Sequence, residues 1–334
     1  MPHVKTSTPT EETTLVRSLA KKARRATRPE LKLGPGDDAA VLALEGRFAM
    51  TGDCLVEGVH FELGWQPPRL LGEKVVRVNA SDLASMGADF RFFLLDLGVP
   101  ERISPRLVEQ IQDGVVRACR SFGAAVVGGN VSRSPVLFLS GTAVGRLQGP
   151  VLSRSGARPG DRIFVTGTLG DAAAGLSLLA AGKAVRSREE RFLVRRFLLP
   201  APRLREARVL ARRNLPTAMI DLSDGLGEDL RRLCVVSGCG AVVDEDALPT
   251  SPAYRKVVGL GKELAISGGE DYELLFTVPA EQSHVPLGLR KARSTCTMTP
   301  VGVLTDRQGV FELRDARGRL RPLPRGFDHL ARRP

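Results

Sequence analysis

Apolar residues near the start of the chain recur at helical spacing. Leu15, Val16, Leu19 and Ala23 share one face and predict an amphipathic helix over 11–26. Short apolar runs at 39–44 and 47–51, separated by Glu45-Gly46, predict two strands joined by a hairpin-type turn. The period returns to that of a helix from Leu70 to about Met86, placing Asn79 and Asp82 three residues apart on one face. A strand at 91–97, a helix at about 104–121 and strands at 124–127 and 135–145 follow. Gly149-Pro150 and the Gly156-to-Gly160 segment then punctuate the chain. A domain boundary is expected there, giving 1–148 and 149–334. The second part opens with a strand at 162–166. Helices are predicted at about 170–181, 188–198, 202–213 and 226–236, with strands at 217–220, 240–243, 273–278, 299–303 and 309–313. The expected class is α/β (α+β).

Six short polar clusters interrupt these apolar runs: Gly34-Pro35-Gly36-Asp37-Asp38, Thr51-Gly52-Asp53, Asn79-Ala80-Ser81-Asp82, Gly128-Gly129-Asn130, Asp221-Leu222-Ser223-Asp224-Gly225 and Ser267-Gly268-Gly269-Glu270-Asp271. Each is expected where a strand or helix ends. A single such cluster reads equally well as a turn or an N-cap. Taken together they point further. Crowded carboxylates raise one another's pKa unless a cation compensates, and Mg²⁺ takes one or two carboxylates together with phosphate oxygens. Glycines let backbone N–H groups approach a phosphate closely. The pattern predicts a magnesium–nucleotide site assembled from distant segments.

Composition narrows the classes. The 334 residues suffice for two cored domains, and 43% apolar with 26% charged residues is ordinary for a globular protein. No apolar run approaches the roughly 20 residues needed to span a bilayer, and no signal-peptide core is present. No membrane partner and a cytoplasmic location are expected. The five cysteines form no C-x-x-C pair and read as reduced, mostly buried thiols, with Cys54 beside Asp53 read as small core filler ahead of a residue lining the site. A net charge of +12 invites a nucleic-acid partner. With only 5% aromatics, however, the chain lacks the stacking residues of single-strand binders, and no nucleic-acid partner is expected.

Familiar phosphate motifs fail. Gly34 to Ala39 formally fits G-x-G-x-x-[GA], but a strand is expected to follow it. A Walker A lysine loop and the kinase H-R-D and D-F-G motifs are missing, and Asp-Leu-Ser-Asp-Gly around Ser223 is not a nucleophile elbow. Phosphate handling is expected to fall to several Mg²⁺ ions, without a catalytic side chain.

The segments Gly36-Asp37-Asp38-Ala39-Ala40, Asp53-Cys54-Leu55-Val56-Glu57-Gly58-Val59-His60-Phe61, Asn79 to Ala88, Ile220 to Leu226 and Ser267 to Leu274 resemble, in order and spacing, the thiamine-monophosphate kinase family. Ser153 to Asp161 and Arg325-Gly326-Phe327-Asp328-His329 agree as well. The resemblance implies the two-domain aminoimidazole ribonucleotide synthetase-like fold, with an N-terminal α/β domain whose sheet forms a homodimer and a C-terminal α+β domain. It implies ATP-dependent phosphorylation of thiamine monophosphate to thiamine diphosphate. It also implies metal contacts from Asp38, Thr51, Asp53, Asp82, Asn130, Asp221 and Asp224, and ATP contacts from Gly129, Asn130, Arg154 and Ser223. His60, Glu270 and Phe327 would face thiamine monophosphate. Read alone, His60 is a half-buried histidine satisfied by backbone, Arg154 a surface arginine and Phe327 a core anchor.

One position departs from the pattern. Where the family reads Gly-Gly-Asp-Thr, this sequence has Gly128-Gly129-Asn130-Val131, one negative charge fewer. Alternatives are another ATP-dependent enzyme of the superfamily or a non-catalytic nucleotide-binding homologue.

Overall fold

The computed structural model describes residues 11–35, 39–182, 184–289 and 296–327. The chain divides into two compact units, one of residues 1–46, 50–79 and 90–144, the other of 47–49, 80–89 and 145–334.

The first unit is built on a four-stranded sheet. Helix α1 (Glu11–Ala23) precedes a two-stranded ribbon of β1 (Leu31–Leu33) and β2 (Val41–Leu42). Then come β3 (Phe48–Val56), α2 (Pro68–Ser85), β4 (Ala88–Val99), α3 (Pro105–Phe122), β5 (Ala125–Arg133) and β6 (Phe138–Leu147). The order in the sheet is β3-β6-β4-β5, and β4, α3 and β5 form a parallel crossover unit. Ser104 caps α3 by accepting from Leu107 N–H, Pro105 opens it, and Gly123 closes it in the left-handed conformation. Helices α2 and α3 cross at backbone contact. A Cβ on Gly72 would lie 1.9 Å from the Ile111 oxygen, and one on Gly114 would lie 1.9 Å from the Arg69 oxygen.

Two expectations are corrected here. The expected hairpin at 39–51 does not form, because β2 pairs with β1 while β3 joins the larger sheet. Alternating burial in β3 leaves it an acid-bearing strand with its own partners, and a polar turn alone could not specify which strand it meets. On α1, Leu19 and Ala23 are buried, but Val16 is exposed.

The second unit is a seven-stranded sheet ordered β13-β12-β9-β11-β7-β10-β8. Its strands are β7 (Arg162–Thr166), β8 (Ala218–Asp221), β9 (Gly240–Asp244), β10 (Leu274–Val278), β11 (Met298–Thr305), β12 (Phe311–Arg314) and β13 (Leu320–Pro322). The pair β9–β12 is parallel, and β10 runs antiparallel to both β7 and β8. The helices are α4 (Asp171–Ala180), α5 (Arg188–Leu198), α6 (Leu204–Arg212), α7 (Leu226–Ser237), α8 (Pro252–Val257), α9 (Glu263–Ser267) and α10 (His284–Leu289). Period-two alternation splits the strand side chains between two cores. Ile163, Val165, Ile220 and Leu275 pack with Leu226, Leu230 and Leu233 of α7. Phe164, Met219, Leu274 and Phe276 pack with Ala207 and Leu210 of α6, where the Phe164 and Phe276 rings stack at 5.5 Å. Sheet strands buried on both faces read as short apolar runs, and Leu274-Leu275-Phe276 within β10 is such a run.

Candidate active site

The Thr51–Asp53 and Gly128–Asn130 segments lie within β3 and β5 rather than at strand ends, and Asn79–Asp82 lies within α2. Thr51, Asp53 and Leu55 point to one face of β3, and Met50, Gly52 and Cys54 to the other, by the alternation of the strand. Cys54 is therefore exposed and turned away from Asp53, correcting its reading as core filler. Asn79, wholly buried on α2, ties the helix to β3. Its Oδ1 accepts from Asp53 N–H at 3.1 Å, and its Nδ2 donates to the Val75 oxygen at 2.8 Å. Asp53 itself is half-buried.

Strand β5 runs straight through Gly128-Gly129-Asn130. Gly129 has φ 145°, and a Cβ there would sit 1.8 Å from the Leu95 oxygen, so only glycine fits. Asn130 is exposed, and its Nδ2 donates to Ser132 Oγ at 3.2 Å. His60 sits in the turn after β3, with Nδ1 accepting from Val56 N–H at 3.1 Å. That bond places the proton of the neutral ring on Nε2.

In the second unit, Asp221 ends β8 as expected. Its buried Oδ2 accepts from Ser81 Oγ at 2.7 Å. Asn79 and Asp82 stood out in the sequence, whereas Ser81, between them, makes this contact. The next turn is organised by Asp229, in the first turn of α7. Its Oδ2 accepts from the backbone N–H groups of Ser223 and Asp224, each at 3.0 Å. Burial pushes Asp229 up to about 7, against those N–H donors and the nearby Arg232 guanidinium, while Asp224 beside it adds to the rise. Arg232 pairs with Asp224 at 2.5 Å and with Asp229 at 2.8 Å.

A loop from the 267–273 segment is stitched to this turn. Glu270 N–H donates to the Ser223 oxygen and Tyr272 N–H to the Leu222 oxygen, both at 2.8 Å. Glu270 (φ 71°) and Tyr272 (φ 51°) both occupy the left-handed region, where a non-glycine residue costs about 1–3 kcal/mol. Between them, Asp271 is wholly buried and accepts from Gly170 N–H at 2.7 Å, at the start of α4. Burial holds it up at about 8. Below the loop, buried Glu273 receives Thr166 Oγ1 at 2.7 Å, Arg196 at 2.8 Å and Arg203. Phe327 is 41% exposed, so it is not a core anchor, and its N–H donates to the Asp224 oxygen at 2.8 Å.

Next to the Arg232–Asp224 pair opens a cleft of about 680 Å³ lined by Arg154, Glu228, Arg231, Arg232, Phe311 and Arg325. Arg154 is exposed there. The sequence assigned a role to Arg154 and carried Arg325 in a matching segment without one. Arg231 and Arg232 of α7 carry no local motif, and only the fold brings them together with Arg154 and Arg325.

Residues 36–147 match the family described as AIR synthase related protein, N-terminal domain, and residues 158–313 match its C-terminal domain. The thiamine-monophosphate kinase of Salmonella typhimurium is 39% identical over 316 residues, covering 92% of this chain and 94% of that one. The chain belongs to the thiamine-monophosphate kinase family. The crystal structure of the Stenotrophomonas maltophilia K279a thiamine-monophosphate kinase aligns with a TM-score of 0.81 at 35% identity, covering 91% of this chain and 97% of that one. A further structure, AaThiL complexed with AMPPCP and TMP, aligns at 0.76 with 34% identity over 88% of this chain and 91% of that one. The fold is accordingly the two-domain AIR synthase-like α/β (α+β) fold.

The donors gathered in each unit are oxygens, the type that suits a hard divalent cation. Among the described residues no three His, Cys, Asp or Glu side chains converge as a metal cluster. Asp38 lies outside the described residues.

Proposed function

We propose that this chain transfers the γ-phosphoryl group of ATP to thiamine monophosphate, giving thiamine diphosphate and ADP, by direct in-line displacement. A terminal oxygen of the acceptor phosphate attacks the γ-phosphorus, and the bond from that phosphorus to the β–γ bridging oxygen breaks. The observation that carries this reading is the arginine-lined cleft next to the Arg232–Asp224 pair, in a chain of this family.

A phosphate monoester is largely dianionic at neutral pH, its second pKa being about 6, so it needs no general base. The barrier is repulsion between two anions, and positioning with charge neutralisation is the work of such a site. Arg154 and the arginines of α7 offer fixed positive charge to the nucleotide. Ser223 commits its N–H to Asp229, leaving its hydroxyl for ATP. In this reading Gly129 and Asn130 also meet ATP, and Gly129 allows close backbone approach. Thr51, Asp53, Asp82, Asn130, Asp221 and Asp224, with Asp38, are the proposed Mg²⁺ contacts. Bound Mg²⁺ would supply neutralisation of the phosphates.

For the acceptor, Glu270 offsets the cationic thiazolium and the exposed Phe327 ring stacks on it, as cations prefer aromatic faces. His60 presents Nε2–H to the same substrate. A homodimer and a cytoplasmic location belong to this reading. The test is ADP release from ATP and Mg²⁺ with and without thiamine monophosphate, with the Asp53→Asn variant alongside. Acceptor-dependent formation of thiamine diphosphate, lost in the variant, is the expected result. Nucleotide binding without turnover on this acceptor would overturn the assignment.

A further inference from the structure

A second cleft, of about 550 Å³, opens in the first unit and is lined by none of the residues assigned above. Arg25 after α1, Arg69 in the first turn of α2, and Asp113, Arg117, Arg120 and Ser121 on α3 border it. The faces of α3 fix its position. Val108, Ile111, Val115 and Cys119 are buried along one face, and Phe122 on that face meets Phe90 of β4 at 6.2 Å between ring centres. Asp113, Arg117 and Arg120 recur three or four residues apart on the opposite face. The cleft therefore opens on the side of α3 turned away from the sheet, and pairing of two chains through the sheet leaves it open.

Four guanidinium groups converge there on one carboxylate, and that carboxylate is already engaged. Lys22 reaches Asp113 at 2.7 Å and Arg69 reaches it at 3.8 Å. Arg117 lies 3.4 Å from the buried Glu73, which also pairs with Arg77 at 3.2 Å. Helix dipoles do not account for the remainder. Arg69 stands in the first turn of α2, the end where positive charge is disfavoured. Arg24 and Arg28 donate to the backbone oxygens of Pro35 and Gly123, as arginines near helix ends commonly do. Arg25 and Arg120 do not: neither side chain has a hydrogen bond or ion pair among the described residues. The cleft thus keeps an unmatched positive charge, with Arg69 and Arg117 held in place by Asp113 and Glu73.

We propose that this cleft binds a short polyphosphate chain, the chemistry shared by free inorganic tripolyphosphate and the tail of a nucleotide. The proposal is independent of the kinase reading. Each guanidinium fork can take two phosphate oxygens, and forks converging from three elements match a chain of several charges better than a lone phosphate. The volume is that of a small-ligand site. No aromatic side chain lines the cleft, so it reads phosphates rather than a base and offers single-stranded nucleic acid no stacking platform.

Calorimetric titration of the full chain with inorganic tripolyphosphate in metal-free buffer tests this. Three proteins are compared: wild type, Arg25→Gln/Arg120→Gln and Arg212→Gln/Arg213→Gln. Both pairs are exposed and remove the same charge, but the second lies at the end of α6 in the other unit. Arg25 and Arg120 leave no partner stranded, so the melting temperature of their variant should match wild type without ligand. That variant should weaken one tripolyphosphate site per chain on the order of 100-fold, as loss of two charge-assisted contacts implies. The Arg212/Arg213 variant should keep the site. A titration that Arg25→Gln/Arg120→Gln does not change, or an equal loss in both variants as net charge alone would give, overturns the proposal. ATP titrated under the same conditions separates the two sources. Sensitivity to Arg25→Gln/Arg120→Gln with both ligands assigns the cleft to nucleotide tails as well, and sensitivity with tripolyphosphate alone assigns it to free chains.

Discussion

Two sets of polar residues, one from each unit, are held in different ways. In the second unit Asp229, Asp271 and Glu273 are buried, and each is met by backbone N–H, hydroxyl or guanidinium groups. In the first unit Thr51 and Asp53 stand half-exposed on β3, while Asn130 stands exposed on β5. Buried acids with internal partners fix a shape, and their charge is already spent on the protein. Acids nearer the surface fix less of the shape and can be reached by a ligand. A polar cluster in a sequence can thus be scaffold or reagent, and its partners in the fold decide which.

The contrast is broken most severely at Glu273. Glu273→Ala strands Arg196 and Arg203, and should destabilise the second unit by about 3–5 kcal/mol in urea unfolding. An unchanged midpoint would show that the pairs contribute no net stability. Asp53→Asn should do the reverse, keeping the melting temperature while lowering kcat/KM on the order of 100-fold. Glu270→Gln should raise KM for thiamine monophosphate well above any change for ATP; equal changes in both would remove Glu270 from the acceptor.

pH separates the regions more gently. Asp271 is held at about 8 in the folded chain, above its ordinary value near 3.9. Its protonated form favours folding fully at low pH, and that contribution declines as pH rises until it is lost above about 8. The melting temperature should therefore fall between pH 6 and 9, and Asp271→Asn should flatten the fall. A variant with the wild-type slope would place the titration elsewhere. The smallest effect is expected at Ser132→Ala, where an exposed bond to Asn130 is lost; a change of about 0.5–1 kcal/mol or less is predicted.

The regular elements were legible where local chemistry is self-sufficient. Helix α3 carries its own start in Ser104-Pro105 and its own stop in Gly123, and β7 emerged with its predicted ends at 162 and 166. The β1–β2 ribbon was not legible, since an alternating strand does not name its partner. Asp221, Ser223 and Asp224 announced themselves through the glycine beside them. Asp229 sits inside a helix with ordinary spacing, and Ser81 stood in a polar cluster with no partner named, so only the fold reveals the contacts they make.

The backbone stitch between Leu222–Ser223 and Glu270–Tyr272 has an evolutionary consequence. Two segments nearly fifty positions apart move as a single mechanical part, and each left-handed residue in one is stabilised by a carbonyl in the other. They should be inherited as a cassette. A chimera that swaps both from a distant relative has a route to folding, whereas one that swaps either alone inherits a lock without its key.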